Sequence, residues 1–123
     1  MSFTPYLENK ILDHVLTNTP YTSPGTVYVS LYNGDPLASG TEVTGTGYAR
    51  KSVTFSVTAN AGTNTNTIEF EAEADWGTVN YAGIHDALTG GNVLISTSLQ
   101  NSRTIFNGDI VRFVAGDIDV TLT

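Results

Sequence analysis

The feature that most constrains this chain is the spacing of its apolar residues, which changes to a period of two after Thr26. In the segment 26–33, Val27, Val29 and Leu31 fall on one face, and polar or aromatic residues fall on the other. Alternation of this kind is typical of a β-strand that buries one face. Clusters of Gly, Asn and Asp interrupt the alternating runs every ~8–15 residues, which is the spacing of strands in sandwiches and small barrels. We therefore predict a mainly β fold, an antiparallel β-sandwich of seven or eight short strands.

The remaining predicted strands follow from the same pattern. They cover residues 49–58, 68–74, 79–86, 93–99, 110–114 and 118–123, with a short connector strand at Ile105. In the first of them, Val53, Phe55 and Val57 are predicted to face the core. Residues 37–48, with the small residues Ser39, Gly40, Gly45 and Gly47, and residues 61–66, with Gly, Thr and Asn, are predicted to be loops. The first is long for a hairpin connection, and long loops often carry function.

Residues 1–20 have a helical pattern instead. Thr4-Pro5 matches a helix start, with a capping hydroxyl followed by Pro at the first helical position. One apolar stripe follows, formed by Leu7, Ile11, Leu12, Val15 and Leu16. A helix this short is marginal alone and has to pack on the sandwich or on a neighbouring subunit. We predict a single domain over residues 1–123, with 1–20 as an amphipathic helix and tether and 26–123 as the sandwich.

Composition excludes several classes of partner and site. The chain has 5 Lys and Arg against 12 Asp and Glu, a formal net charge of −7. Binding to nucleic acid or to an anionic membrane needs a basic surface, so neither is predicted as a partner. The chain has no Cys, which excludes disulfides, thiolate metal sites and a cysteine nucleophile. We predict no cofactor.

The titratable residues do not form a recognisable active site in the sequence. His14 and His85 are isolated from each other and from further metal ligands, so we predict ordinary surface and strand positions for them. Glu69, Glu71 and Glu73 share one predicted strand face, but this face is exposed to water and does not separate an acid from a base. Asp109, Asp117 and Asp119 lie in or beside Gly-containing turns, which explains them without a cation. We predict no catalytic, cofactor-binding or metal-ligating residue.

Aromatic residues near the predicted loops are candidates for contact with a sugar or a protein partner. Tyr48 and Trp76 are the two we select, because aromatic rings combine large apolar area with a polar group. The helix stripe is the other candidate contact surface.

Several motifs together resemble a known family. They are SFTPYLENKILDHVL (2–16), TVYVSLYNGDP (26–36), GTEVTGTGYAR (40–50), ADWGTVNYAGIHDALTGGNVL (74–94) and NGDIVRFVAGDIDVTL (107–122). The chain resembles small structural proteins of tailed bacteriophages, described as tail fibre or minor tail proteins. The resemblance implies a non-enzymatic virion component on the particle exterior, on the tail rather than the head. It implies other virion proteins as partners and a homo-oligomer, for instance a trimer.

Three alternatives remain open at this point. The same fold could serve as a capsid decoration protein on the head. It could be a receptor- or glycan-binding module that uses the loop 37–48 with Tyr48 and Trp76. The last alternative is a hydrolase acting through the carboxylates of the segment 69–73, which the exposed position of these residues disfavours.

Overall fold

The computed structural model describes residues 2–122. The protein is 45% strand and 10% helix, with several antiparallel sheets that do not close into a barrel. The prediction of a mainly β sandwich with one N-terminal helix is therefore confirmed. The strands of the described residues are β1 (Ser2–Phe3), β2 (Val27–Asn33), β3 (Thr41–Glu42), β4 (Lys51–Val53), β5 (Phe55–Thr58), β6 (Ala61–Asn64), β7 (Ile68–Glu71), β8 (Gly77–His85), β9 (Val93–Ile105), β10 (Ile110–Phe113) and β11 (Asp119–Thr121), and the helix α1 is Pro5–Leu16.

Six strands form the main sheet. Its order is β1-β9-β8-β2-β3. Strand β4 also pairs with β2, on the same edge as β3 but at the opposite end of the strand. The register places Val29 opposite Ile84 and Leu31 opposite Ala82 across the β2–β8 pair. Two smaller antiparallel sheets, β5-β6-β11 and β7-β10, complete the fold.

The core forms where the main sheet meets the smaller sheets. Val29, Leu31 and Ile84 of the main sheet belong to one buried cluster with Ile68 and Phe70 of β7. Phe70 and Leu31 are fully buried. Strand β2 also buries its second face, since Ser30 is 0% and Tyr32 8% exposed. A two-residue period therefore indicates that β2 is a strand, but it does not show that the second face of the strand is exposed to solvent.

The structure corrects two predicted boundaries in the middle of the chain. The segment 49–58 is two strands in different sheets, because the backbone N–H of Thr54 leaves the strand pairing and donates to Asn66 Oδ1 at 3.0 Å. Val53 is buried as predicted, but Val57 is 74% exposed and lines an apolar groove of about 340 Å³ between the main sheet and β5-β6-β11. Residues 61–66 were predicted to be a loop, yet 61–64 form β6.

A third correction concerns β9. Ile105 was predicted to occupy a separate connector strand, but it ends one 13-residue strand that pairs with β8 over residues 93–98 and again over 103–105. The pairing shifts register between Val79 and Tyr81. An irregularity of this kind bends the strand pair and disrupts the simple alternation that sequence analysis depends on.

The N-terminal helix begins where its sequence pattern predicts, and it ends at Leu16, the last residue of the apolar stripe. Thr4 caps α1, since its Oγ1 accepts the Leu7 N–H at 3.4 Å and donates to the Val93 carbonyl at 2.7 Å. The Thr4 N–H also donates to Leu94 O at 2.9 Å. One residue therefore starts the helix and joins it to β9. Within residues 2–122, no helix has the length and apolarity needed to cross a bilayer.

We expect Thr4→Val to lower the free energy of unfolding by about 1–2 kcal/mol, because it removes a helix cap and leaves buried polar groups without partners. Thr17→Val is the matched control, because the Thr17 hydroxyl bonds Asp13 O in an exposed position at the other end of the helix. Denaturant unfolding measured by circular dichroism compares the two. Equal losses in both variants would contradict the anchoring role of Thr4.

Candidate functional site

The apolar stripe of α1 divides into a buried half and an exposed half. Leu7, in the first turn, is 8% exposed and packs against the sandwich, and Ile11 is half-buried. The three residues toward the end of the helix, Leu12, Val15 and Leu16, are 54%, 69% and 73% exposed. We refer to these three as the distal stripe. The helix is therefore fixed at its first turn, and its last two turns present apolar side chains to solvent.

Tyr48 and Trp76, selected as contact residues from the sequence, have their rings inside the fold. Trp76 is 9% exposed, and its indole N–H donates to Thr46 O at 3.0 Å. The Tyr48 ring meets Trp76 edge-on at 5.6 Å and stacks on Phe70 at 5.9 Å. The structure thus does not present these rings as a flat exposed platform. Through these contacts, the two rings hold the segment 37–48 against the core.

A polar cluster that the sequence analysis did not identify holds the same segment. Arg50 Nε and Nη2 donate to the two carboxylate oxygens of Glu42 at 2.8 and 2.9 Å. The Tyr48 hydroxyl donates to Glu42 Oε2 at 2.6 Å and accepts the Leu31 N–H at 3.1 Å. We call Glu42, Tyr48 and Arg50 the loop staple. Bidentate Arg–carboxylate pairing fixes both distance and orientation.

The loop staple also reaches a second loop. Arg50 Nη1 donates to the carbonyls of Ala87 and Gly90 at 2.9 and 2.8 Å, which ties residues 37–50 to the turn that follows β8. A groove of about 320 Å³ lies between the two loops, with Leu88 on one wall and the staple on the other. No short motif indicates these contacts of Arg50, because its partners lie 8 to 40 residues away in the sequence.

Electrostatics in the staple follow from this geometry. Burial raises the pKa of Glu42, but hydrogen bonds from Arg50 and Tyr48 outweigh burial, and the net pKa lies below the usual 4.5. Burial and the Glu42 contact raise the pKa of the Tyr48 hydroxyl well above its usual 10.0. Glu42 is therefore ionised and Tyr48 neutral near pH 7, the states that their hydrogen bonds require.

We expect Gly45→Ala to loosen the segment 37–48, because a Cβ at this position would lie 2.3 Å from Trp76 Cδ1. The indole is rigid and buried, so the backbone must shift, at a cost of about 1–3 kcal/mol. Trp76 is the only Trp, and its fluorescence is expected to shift to longer wavelength as water reaches the ring. Gly25→Ala is the control, since no atom lies within 4 Å of its added Cβ. Identical spectra and stability for both variants would contradict this packing.

The other candidate residues remain dispersed. Glu69, Glu71 and Glu73 are exposed, and Glu69 pairs with Arg112 at 3.2 Å on the surface. Asp109 and Asp117 accept backbone N–H groups within their own turns, as the turn interpretation predicts. In the part of the chain that the structure describes, no three metal-ligating side chains come together. His85 is buried in the main sheet.

Taken together, a sandwich of short strands with an exposed apolar helix end defines a small β-structural module that carries a contact surface. Comparison with protein-family models identifies its family: residues 2–121 match the family described as Podophage GP4 fiber I protein gp80. The chain belongs to this family of phage tail fibre proteins, and the resemblance found in the sequence motifs is confirmed. It is thus a structural fibre protein of the virion tail that associates with other virion proteins. No match was found among curated proteins.

Proposed function

We propose that the chain is a non-enzymatic fibre subunit on the tail exterior, and that the distal stripe attaches it to another virion protein. The observation that carries this proposal is the exposure of Leu12, Val15 and Leu16 at one end of a helix whose first turn is fixed to β9. An apolar surface presented in a fixed orientation is suited to assembly, because its partner does not have to order it first.

The free energy available from burying the distal stripe supports attachment through it. Complete burial of one Leu or Val side chain contributes roughly 1.5–3 kcal/mol, so three half- to three-quarters-exposed side chains offer several kcal/mol to an interface. The partner is expected to present a complementary apolar groove, as grooves that receive one face of an amphipathic helix do. A homo-oligomer, for instance a trimer, would place several such helices side by side and strengthen attachment through multivalency.

The number of copies per particle tests the tail assignment. Quantitative mass spectrometry of purified particles, with the major capsid and tail tube proteins as internal standards, is expected to give a copy number in proportion to the tail. A copy number in proportion to the capsid would instead support a decoration protein on the head and would contradict this proposal. Absence of the chain from particles would contradict both.

A second candidate function is the binding of a host surface glycan in the groove between the two stapled loops. The observation that favours it is the fixed geometry of these loops, because a rigid site loses less entropy on binding. On a glycan array, Leu88→Ser is expected to abolish binding, whereas Leu37→Ser is expected to retain it. Both Leu residues are 51% exposed, and Leu88 lines the groove. No binding by the wild-type chain would remove this candidate.

A further inference from the structure

The second face of the main sheet contains a buried polar cluster. Tyr28, Ser30 and Tyr32 of β2 lie opposite His85, Gly83 and Tyr81 of β8, so these side chains share one face. Ser30 is 0%, His85 2% and Tyr32 8% exposed. The Tyr32 hydroxyl lies 3.1 Å from His85 Nε2, and the two rings stack with centroids 5.9 Å apart. We call Ser30, Tyr32 and His85 the buried triplet.

The triplet is closely packed around Gly83. A Cβ on Gly83 would lie 2.9 Å from Ser30 Oγ and 3.6 Å from Tyr32 Cε1, so the missing side chain provides the space that the triplet occupies. Because the buried His85 has a fixed neighbour at Nε2, its other nitrogen cannot reorient easily toward solvent.

Two polar atoms of the triplet have no hydrogen-bond partner within residues 2–122, namely Ser30 Oγ and His85 Nδ1. A neutral imidazole has one donor and one acceptor nitrogen, whereas an imidazolium has two donors and a full charge. Protonation would therefore place a positive charge in this interior with one N–H unpaired. A buried charge without a pair costs far more than a buried neutral group.

The charged groups around His85 do not offer a free counterion. Arg50 faces it as a cation and disfavours a second positive charge. Glu42 and Asp86 favour the charge, but Glu42 is held by Arg50 and Tyr48. Asp86 accepts the backbone N–H of Asn92 at 2.7 Å and its side-chain amide at 3.2 Å. On β2, Tyr28 lies opposite His85, and burial raises the pKa of the Tyr32 hydroxyl above its usual 10.0, so neither residue supplies a counterion.

We propose that the buried triplet makes the fold acid-responsive, because uptake of a proton by His85 places a positive charge with an unpaired N–H inside the main sheet and destabilises the β2–β8 pair. The proposal concerns the isolated chain and does not depend on its place in the virion. It assigns His85 control of the pH dependence of stability, which a strand residue that only packs would not have.

The sign and size of the effect follow from linkage. Burial, with a contribution from Arg50, lowers the pKa of His85 from 6.5 to about 4. Between these values the unfolded chain binds a proton that the folded chain does not, so stability falls as the pH falls. Across the interval from pH 7 to pH 5, the unfolding equilibrium constant is expected to rise about 20-fold.

Denaturant unfolding of the full chain at pH 7 and pH 5 tests the proposal, because the carboxylates with lowered pKa, Glu42 and Asp86, titrate below this interval. The wild type is expected to show the rise, and His85→Gln is expected to lose most of it. His14→Gln is the matched control and should behave like the wild type. A wild type without the rise, or a His85→Gln variant that retains it, would overturn the proposal.

If His85→Gln does not fold, NMR titration of the wild-type His85 ring decides the question. Resistance of the ring to protonation until about pH 4 supports the proposal. Protonation near 6.5 in the folded chain would overturn it.

Discussion

Replacing Leu12 and Leu16 together with Asp is expected to leave the sandwich folded and to abolish incorporation of the chain into phage particles. Both side chains are more than half exposed, so the change costs the isolated fold little. At an interface, however, each Asp would bury a carboxylate where apolar contact is needed, and burial of an unpaired charge costs several kcal/mol. Purified particles, produced with the variant as the only source of the chain, are analysed by immunoblot.

The matched control is Leu37→Asp with Leu88→Asp, which adds the same charge at two leucines that are each 51% exposed. This control is expected to enter particles normally. Leu7→Asp is unsuitable, because Leu7 is 8% exposed and its replacement would disturb the fold itself. Normal incorporation of the Leu12→Asp/Leu16→Asp variant would contradict attachment through the distal stripe. Unfolding of this variant, measured by circular dichroism, would contradict the expectation that the sandwich folds without the distal stripe.

Arg50→Ala is expected to lower the free energy of unfolding by about 3 kcal/mol, one of the largest single-residue effects in the protein. The Arg50 side chain is 8% exposed and makes four hydrogen bonds across two loops. Its removal leaves Glu42, whose side chain is 23% exposed, without its cation and leaves two carbonyls without donors. Denaturant unfolding monitored by Trp76 fluorescence measures the loss.

Arg112→Ala is the control for Arg50→Ala, because it removes the same kind of pair from the surface. The Arg112 and Glu69 side chains are 53% and 45% exposed, and an exposed pair contributes about 0–1 kcal/mol. Arg50→Lys should recover only part of the stability, since an ammonium cannot reproduce the bidentate contact. A loss no larger than that of Arg112→Ala would show that the loops do not depend on the staple.

The parts of the fold that follow a simple period were predictable. The helix was predictable, because Thr4-Pro5 marks its start and its apolar stripe has a single period. Strand β7 was too, since Ile68 and Phe70 alternate with Glu69 and Glu71 in sequence and in burial. In both cases local pattern and tertiary packing agree, which is the condition under which a sequence can be interpreted without its neighbours.

The errors arose where tertiary contacts decide. Strand β6 is rich in Gly, Thr and Asn and resembles a loop, yet it pairs on both sides with β5 and β11. Trp76 was selected because it lies near a predicted loop, and its burial depends on Gly45, against which the indole fits, and on Thr46, whose carbonyl accepts the indole N–H. Neither partner is close in sequence, so no local pattern distinguishes an inward Trp from an outward one.

The candidate site was predictable to a similar extent. The helix stripe was found from its spacing, although only the structure distinguishes the buried Leu7 from the exposed Leu16. The loop staple was missed because it joins Glu42, Arg50 and the carbonyls of a distant turn. Side-chain hydrogen-bond networks of this kind have no fixed spacing in sequence, so they are recognised only from the three-dimensional structure.

Labelling of intact particles with gold-conjugated antibody against the chain, followed by electron microscopy, tests the central claim most directly. The antibody is first tested on the Leu12→Asp/Leu16→Asp particles, which are expected to bind no gold. On wild-type particles, we expect gold on the tail exterior, in accord with a fibre subunit attached there. Gold distributed over the head would contradict this account.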